Sequence, residues 1–161
     1  DYTVGALVGI DRTGGVWVLD VVRGQWSTDK VEERARELAD LDREAFGRYT
    51  VAIEKQPAAA GKSWNERWVK EVMLGHKVEL MPTNGGKEWR ADGLSSMQRK
   101  GMVTLIEADW NGLFVSECAL FPEYGRHDDQ VDATVHAFNF LSGRTRKSKG
   151  SLASAARRQI G

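Results

Sequence analysis

The chain has 161 residues, 23 basic and 23 acidic side chains, and 41% hydrophobic residues that include six Trp. That is enough to fill the core of one compact domain, and no run approaches the ~20 apolar residues of a membrane span or opens with a basic-then-apolar export signal. Cys118 is alone, which excludes a disulfide framework and a thiolate metal cluster, suits a reducing intracellular compartment and makes the residue a core filler.

Residue 1 is Asp and a strand-like run follows at once, so the chain reads as a domain taken from a longer protein. Residues 3–10 and 16–24 are rich in Val, Leu and Ile, and Asp11-Arg12-Thr13-Gly14-Gly15 between them makes the turn of a β-hairpin. From Ser27 the period becomes helical, with Val31, Ala35, Leu38, Leu41 and Ala45 on the apolar stripe, Ser27 or Thr28 as N-cap and Gly47 past the end. A short strand at 50–54, a loop at 55–60 and a helix at 61–74 closing on Gly75 come next. A strand at 77–81 stopped by Pro82, a loop with a basic helix over 84–100 and a strand at 102–107 follow. A short helix at 114–121 ends at Pro122, and a final helix at 128–141 carries Val131, Val135, Phe138 and Leu141 on one stripe.

The order β-β-α-β-α-β-α-β-α-α predicts an α/β domain over residues 1–143, with an antiparallel hairpin, parallel strands and helices on both faces of a mixed sheet. Residues 144–161 hold Arg144, Arg146, Lys147, Lys149, Arg157 and Arg158 with no acid, and read as a flexible basic tail suited to a nucleic-acid partner or simply to solvent.

The chemistry concentrates in carboxylates. His127-Asp128-Asp129-Gln130-Val131-Asp132 puts two adjacent acids at the mouth of the last helix, and Thr50-Val51-Ala52-Ile53-Glu54 ends a buried strand on a third. One Asp suffices as an N-cap, at ~1 kcal/mol. Two adjacent acids beside a third repel one another unless a cation neutralises them. Oxygen ligands gathered from separate elements suit Mg²⁺ or Mn²⁺, and a two-ion arrangement hydrolyses phosphodiesters. Glu54, Asp128 and Asp129 are therefore the candidate metal ligands. Asp132 reads as an orienting residue or a partner of His136, and His127 as a hydrogen-bonding loop residue.

Gln56-Pro57-Ala58-Ala59-Ala60-Gly61-Lys62-Ser63 follows a strand and opens a helix, where a phosphate-cradling loop would sit. Gln56 replaces the first glycine, Pro57 removes a donor and three alanines restrict φ, so the segment does not make that cradle. Lys62 remains a candidate phosphate contact. Lys87, Arg90, Arg99 and Lys100 on the basic helix are candidate contacts to a DNA backbone, against the plainer reading of a solvated face. Trp17, Trp64, Trp68 and Phe138 read as core.

Taken together, Asp1-Tyr2-Thr3-Val4, Ile53-Glu54 followed by Pro57 and Ala60-Gly61-Lys62, Lys87 with Arg90-Ala91, Gly101-Met102-Val103, Trp110, Phe121-Pro122 and His127-Asp128-Asp129-Gln130-Val131-Asp132-Ala133 form a pattern. In this order and spacing the chain, from Asp1 to about Leu141, resembles the C-terminal nuclease domain of the large terminase subunit of tailed bacteriophages. The resemblance implies an RNase H-like fold and cleavage of concatemeric double-stranded DNA with two Mg²⁺ or Mn²⁺ ions during genome packaging. It implies attachment to an N-terminal ATPase domain, work with a portal protein and a small terminase subunit in the host cytoplasm, and no membrane. It gives Glu54 the second acidic position and Asp128 and Asp129 the last, with the first acid on a strand preceding this chain. Two other readings stay open: another RNase H-like nuclease, such as a junction resolvase or integrase, and a noncatalytic module docking on DNA or portal.

Overall fold

The computed structural model describes residues 2–82, 85–122 and 127–158, with side chains throughout except at 58–60 and 144–158. Its elements run β1 (Thr3–Ile10), β2 (Val16–Gly24), α1 (Thr28–Phe46), β3 (Val51–Glu54), α2 (Ala58–Arg67), β4 (Val78–Met81), α3 (Lys87–Arg99), β5 (Val103–Leu105), α4 (Asn111–Leu120) and α5 (Asp129–Arg158). This is the expected order of strands and helices, and the basic stretch from 144 lies outside the residues whose side chains are described. No helix among the described residues is long and apolar enough to cross a membrane.

The mixed sheet is β1-β2-β5, with β1 antiparallel and β5 parallel to β2; β3 and β4 pair in parallel as a separate two-stranded sheet. The hairpin register jumps between Leu7 and Val8, whose partners are Asp20 and Val18, so Leu19 is an extra residue in β2. A bulge of this kind flips the two-residue alternation. That is why Val16, Val18 and then Val21 are the buried side chains of β2. Val18 and Val21 pack with Val4, Ala6, Val103, Leu105 and Phe114, which puts α4 on that face of the sheet. Leu38 of α1 approaches Gly5 from the other face.

The second sheet has its own core. Val51 and Ile53 of β3 and Val78 of β4 pack with Val31, Ala35 and Ala39 of α1 and with Trp68, Val72 and Met73. The buried stripe of α1 thus advances in steps of four, and Leu41, expected on it, is 59% exposed because the C-terminal turns leave the core. After α2 the helix widens into a π turn at Trp68–Val72, whose extra residue lets Trp68, Val72 and Met73 all turn inward. Cys118, expected as core filler, is exposed on the outer side of α4.

A third cluster joins α3 to α5 through Ala91, Leu94, Val131 and Val135. Gly93 permits that approach, since a Cβ there would stand 3.1 Å from the Phe138 ring. Asn139 donates through Nδ2 to the Arg90 carbonyl at 3.1 Å, fixing the register of the two helices. The start of α3 is thereby held beside the start of α5. Helix α5 also packs against β1, β2 and β3, so it spans both sheets.

Candidate metal centre

The first turn of α5 would ordinarily be capped by Asp128, the residue before it. Instead, Glu117 reaches across from α4. Its Oε1 accepts from the backbone N–H of Gln130 at 2.6 Å and of Val131 at 3.1 Å, while Oε2 accepts from Gln130 Nε2 at 2.7 Å. Glu117, Gln130 and Thr134 are all buried. Because a buried carboxylate from another helix satisfies the orphan donors, the side chains of Asp128 and Asp129 are free of that duty. One signal in the sequence points to this cap: Glu117 is the only charge in Asn111–Leu120, and a lone acid in an apolar helix needs a buried partner.

Asp128 faces α3. Both of its oxygens accept from Lys87 Nζ at 2.7 Å, and the same ammonium lies 3.2 Å from an oxygen of Asp132, one turn further along α5. Arg90 adds a longer contact to Asp132 at 3.9 Å. The Asp128 carboxylate raises the pKa of Lys87, so the ammonium stays charged. Asp129 differs: among the described residues its buried Oδ2 has no hydrogen-bond partner, and His127 Nδ1 lies 3.7 Å from it. The imidazole of His127 meets the Tyr2 ring edge-on at 5.3 Å, tying the start of the chain to this corner.

Glu54 ends β3 on the exposed side, with Val51 and Ile53 turned into the core as the alternation predicts. Its charge acts on His136 of α5, whose pKa is lowered chiefly by burial and whose Nε2 is buried without a hydrogen bond. Asp132 also acts on that ring through its charge, although its contacts are to Lys87 and Arg90 rather than to His136. Asp128, Asp132 and His136 follow at intervals of four residues, so they share one stripe of α5 about 12 Å long. Among the described residues, no three His, Cys, Asp or Glu side chains stand close enough to hold a metal ion between them, so Glu54, Asp128 and Asp129 do not form such a group. The donor set still suits a hard divalent ion in kind, being carboxylate oxygens with one buried and unpaired.

The candidate DNA contacts fall in three places. Lys87 and Arg90 belong to the acidic corner. Arg99, 3.8 Å from Asp92, and Lys100 stand at the other end of α3, about 18 Å away along its axis. Lys62 lines a cleft of about 700 Å³ with Lys55, Lys70 and Glu66 beside the carboxyl ends of β3 and β4. Of the aromatics, Trp64 and Trp68 stack at 5.2 Å in the core, whereas Trp89, beside Lys87 on α3, is 73% exposed. The helix after β3 starts at Ala58, and Asn65 clamps both the N–H and the carbonyl of Gln56, so the three-residue loop offers no phosphate cradle.

Comparison with the curated proteins and with the solved structures finds no match. The terminase RNaseH-like domain family model matches residues 1–141, a span that includes both sheets, Glu54 and the acidic corner. The chain belongs to that family, the RNase H-like C-terminal nuclease domain of terminases.

Proposed function

We propose that this domain is a divalent-metal-dependent endonuclease that cuts concatemeric double-stranded viral DNA during packaging, with Asp128, Asp129 and Glu54 as metal ligands. One observation carries the reading: Glu117 caps α5, so neither aspartate is needed as its cap, and Asp129 keeps a buried oxygen with no hydrogen-bond partner among the described residues. A buried carboxylate oxygen without a partner is strongly disfavoured unless a cation reaches it.

A Mg²⁺ or Mn²⁺ ion held there supplies Lewis acidity toward the phosphodiester and its attacking water. The chain's own groups do the rest. Glu54 brings a carboxylate from the other sheet toward α5, which packs on β3. Lys87 and Arg90 keep the acidic stripe from repelling itself before substrate arrives. A further carboxylate, on a strand outside residues 1–161, completes the ligands in this proposal. In support, β1 and β3 each present an edge with no strand beside it among the described residues, and α5 packs against both.

The DNA, the ATPase domain of the same polypeptide, the portal protein and the small terminase subunit are partners in the same proposal, in the cytoplasm of a bacterial host. Incubating the domain, extended to include the strand that carries the further carboxylate, with plasmid and Mn²⁺ tests it: nicking and linearisation that Asp129→Asn abolishes support it, and intact plasmid at every metal concentration refutes it. The second outcome is the one expected of a noncatalytic docking module, the reading favoured by the lack of a three-acid group among the described residues. Preference for four-way junctions over linear DNA would instead indicate a resolvase-like nuclease.

A further inference from the structure

We propose that the Lys87 ammonium is a built-in cation that occupies Asp128 in the metal-free domain, so that an ion binding there must displace it. The inference rests on the reading of Asp128 and Asp129 as cation ligands. Lys87 Nζ sits 2.7 Å from each Asp128 oxygen and 3.2 Å from Asp132. A cation chelated by both oxygens of one carboxylate fills the directions a divalent ion would use, and two cations at that separation repel strongly. Ammonium and ion therefore exclude one another on Asp128.

The arrangement is built rather than incidental. Lys87 is the first residue of α3, and α3 is locked onto α5 by Gly93 against Phe138 and by the Asn139–Arg90 hydrogen bond. The lysine side chain is 50% exposed, so the ammonium has an open way out, whereas the carboxylate it leaves is only 21% exposed. Arg90 remains near Asp132 after the exchange and limits the repulsion along the stripe. Once released from Asp128, the ammonium has only Asp132 left as a carboxylate partner and, on its flexible stem, is free to swing out and meet a phosphate oxygen of bound DNA. Ion loading and DNA engagement would then favour one another, since each stabilises the released lysine.

The test is Mn²⁺ binding, followed by calorimetry and by the spin-resonance signal of free Mn²⁺, with no DNA present. Lys87→Met should bind at least about tenfold more tightly than the natural chain, because a competing charge within ~3 Å is gone. Lys87→Arg, which keeps the charge, should remain near the natural affinity. Lys30→Met, a loss of the same charge on α1, should change it by no more than about twofold, the scale of a screened distant charge. Adding Asp128→Asn to Lys87→Met should erase the gain. Equal or weaker binding by Lys87→Met, or an equal gain from Lys30→Met, overturns the displacement while leaving the ligand reading in place. Absence of Mn²⁺ binding in every variant overturns both.

Discussion

Asp11 and Asp129 are both acids at the edge of a secondary-structure element, and their surroundings are opposite. Asp11 Oδ1 accepts from Thr13 N–H at 2.8 Å, Thr13 Oγ1 at 2.7 Å and Gly15 N–H at 2.9 Å, while Oδ2 accepts from Trp17 Nε1 at 2.9 Å. Those bonds, the Thr13 hydroxyl first among them, hold its carboxyl far below the usual carboxylate range. Gly15 is part of the same device, because a Cβ there would fall 2.7 Å from Asp11 Oδ2. Asp129 instead buries an oxygen that accepts no hydrogen bond from the described residues. An acid whose lone pairs are all taken by its own turn has a structural task; an acid left unsatisfied in a partly buried corner is available to a cation.

The largest effect should separate these two acids. Asp129→Asn is expected to lower Mn²⁺-dependent plasmid cleavage by ~10³-fold, since losing a ligand forfeits several kcal/mol of charge stabilisation in the transition state. Asp11→Asn should leave the cleavage rate within about twofold of the natural chain, because its contacts lie wholly within the β1–β2 hairpin. Time courses of supercoiled, nicked and linear DNA measure both. Equal losses from the two substitutions would erase the distinction drawn from their hydrogen bonds.

Glu117 sharpens the comparison as a third kind of acid, buried and fully used. Glu117→Ala strips the partners from two backbone donors and from the Gln130 amide, all at buried positions, and should destabilise the domain by roughly 3 kcal/mol. In a domain of this size that corresponds to a fall in Tm of about 6–12 °C, measurable by circular dichroism. Glu117→Gln retains an acceptor for the backbone and should lose less. A smaller loss belongs to Gly61→Ala, whose Cβ would stand 2.4 Å from the Gln56 carbonyl oxygen. Overpacking of that kind costs about 1–3 kcal/mol, and an unchanged melting curve would show that the loop before α2 can shift.

The strand and helix order was legible because it rests on local periodicity and turn chemistry, as the match of both hairpin strands to Thr3–Ile10 and Val16–Gly24 shows. The two separate sheets were not, because pairing partners are set by tertiary packing and five short strands allow several orders. The π turn at Trp68–Val72 was read as ordinary helix, since one inserted residue leaves apolar spacing nearly unchanged. At the site, the two adjacent acids at the start of the last helix were legible as a pair that charge repulsion makes unusual. Their surroundings were not: Glu117 and Lys87 reach Asp128, Gln130 and Val131 across separations that only the α3–α5 and α4–α5 packing closes. Lys87 shows the same limit, because a sequence gives a charge but not its direction, and the bond of its ammonium to Asp128 depends on the α3–α5 packing.

His136 gives the smallest effect and extends the comparison to a base. It lies one turn beyond Asp132, with Nε2 buried and unpaired, and burial lowers its pKa despite the opposing pull of Glu54 and Asp132. Arg90 works in the same direction as burial. The folded state therefore holds this ring neutral at a pH where the unfolded chain, with a pKa of about 6.5, takes up a proton. Because the unfolded state binds more protons in that window, stability falls as pH drops below about 6.5 and keeps falling until the lower folded value is reached. His136→Gln, which cannot titrate, should flatten the pH dependence of urea denaturation between pH 7 and pH 5 without abolishing it, since the carboxylates contribute their own slope. An unchanged slope would mean that the ring is hydrated in solution, and that the acidic stripe of α5 extends less far into the protein than its buried nitrogen indicates.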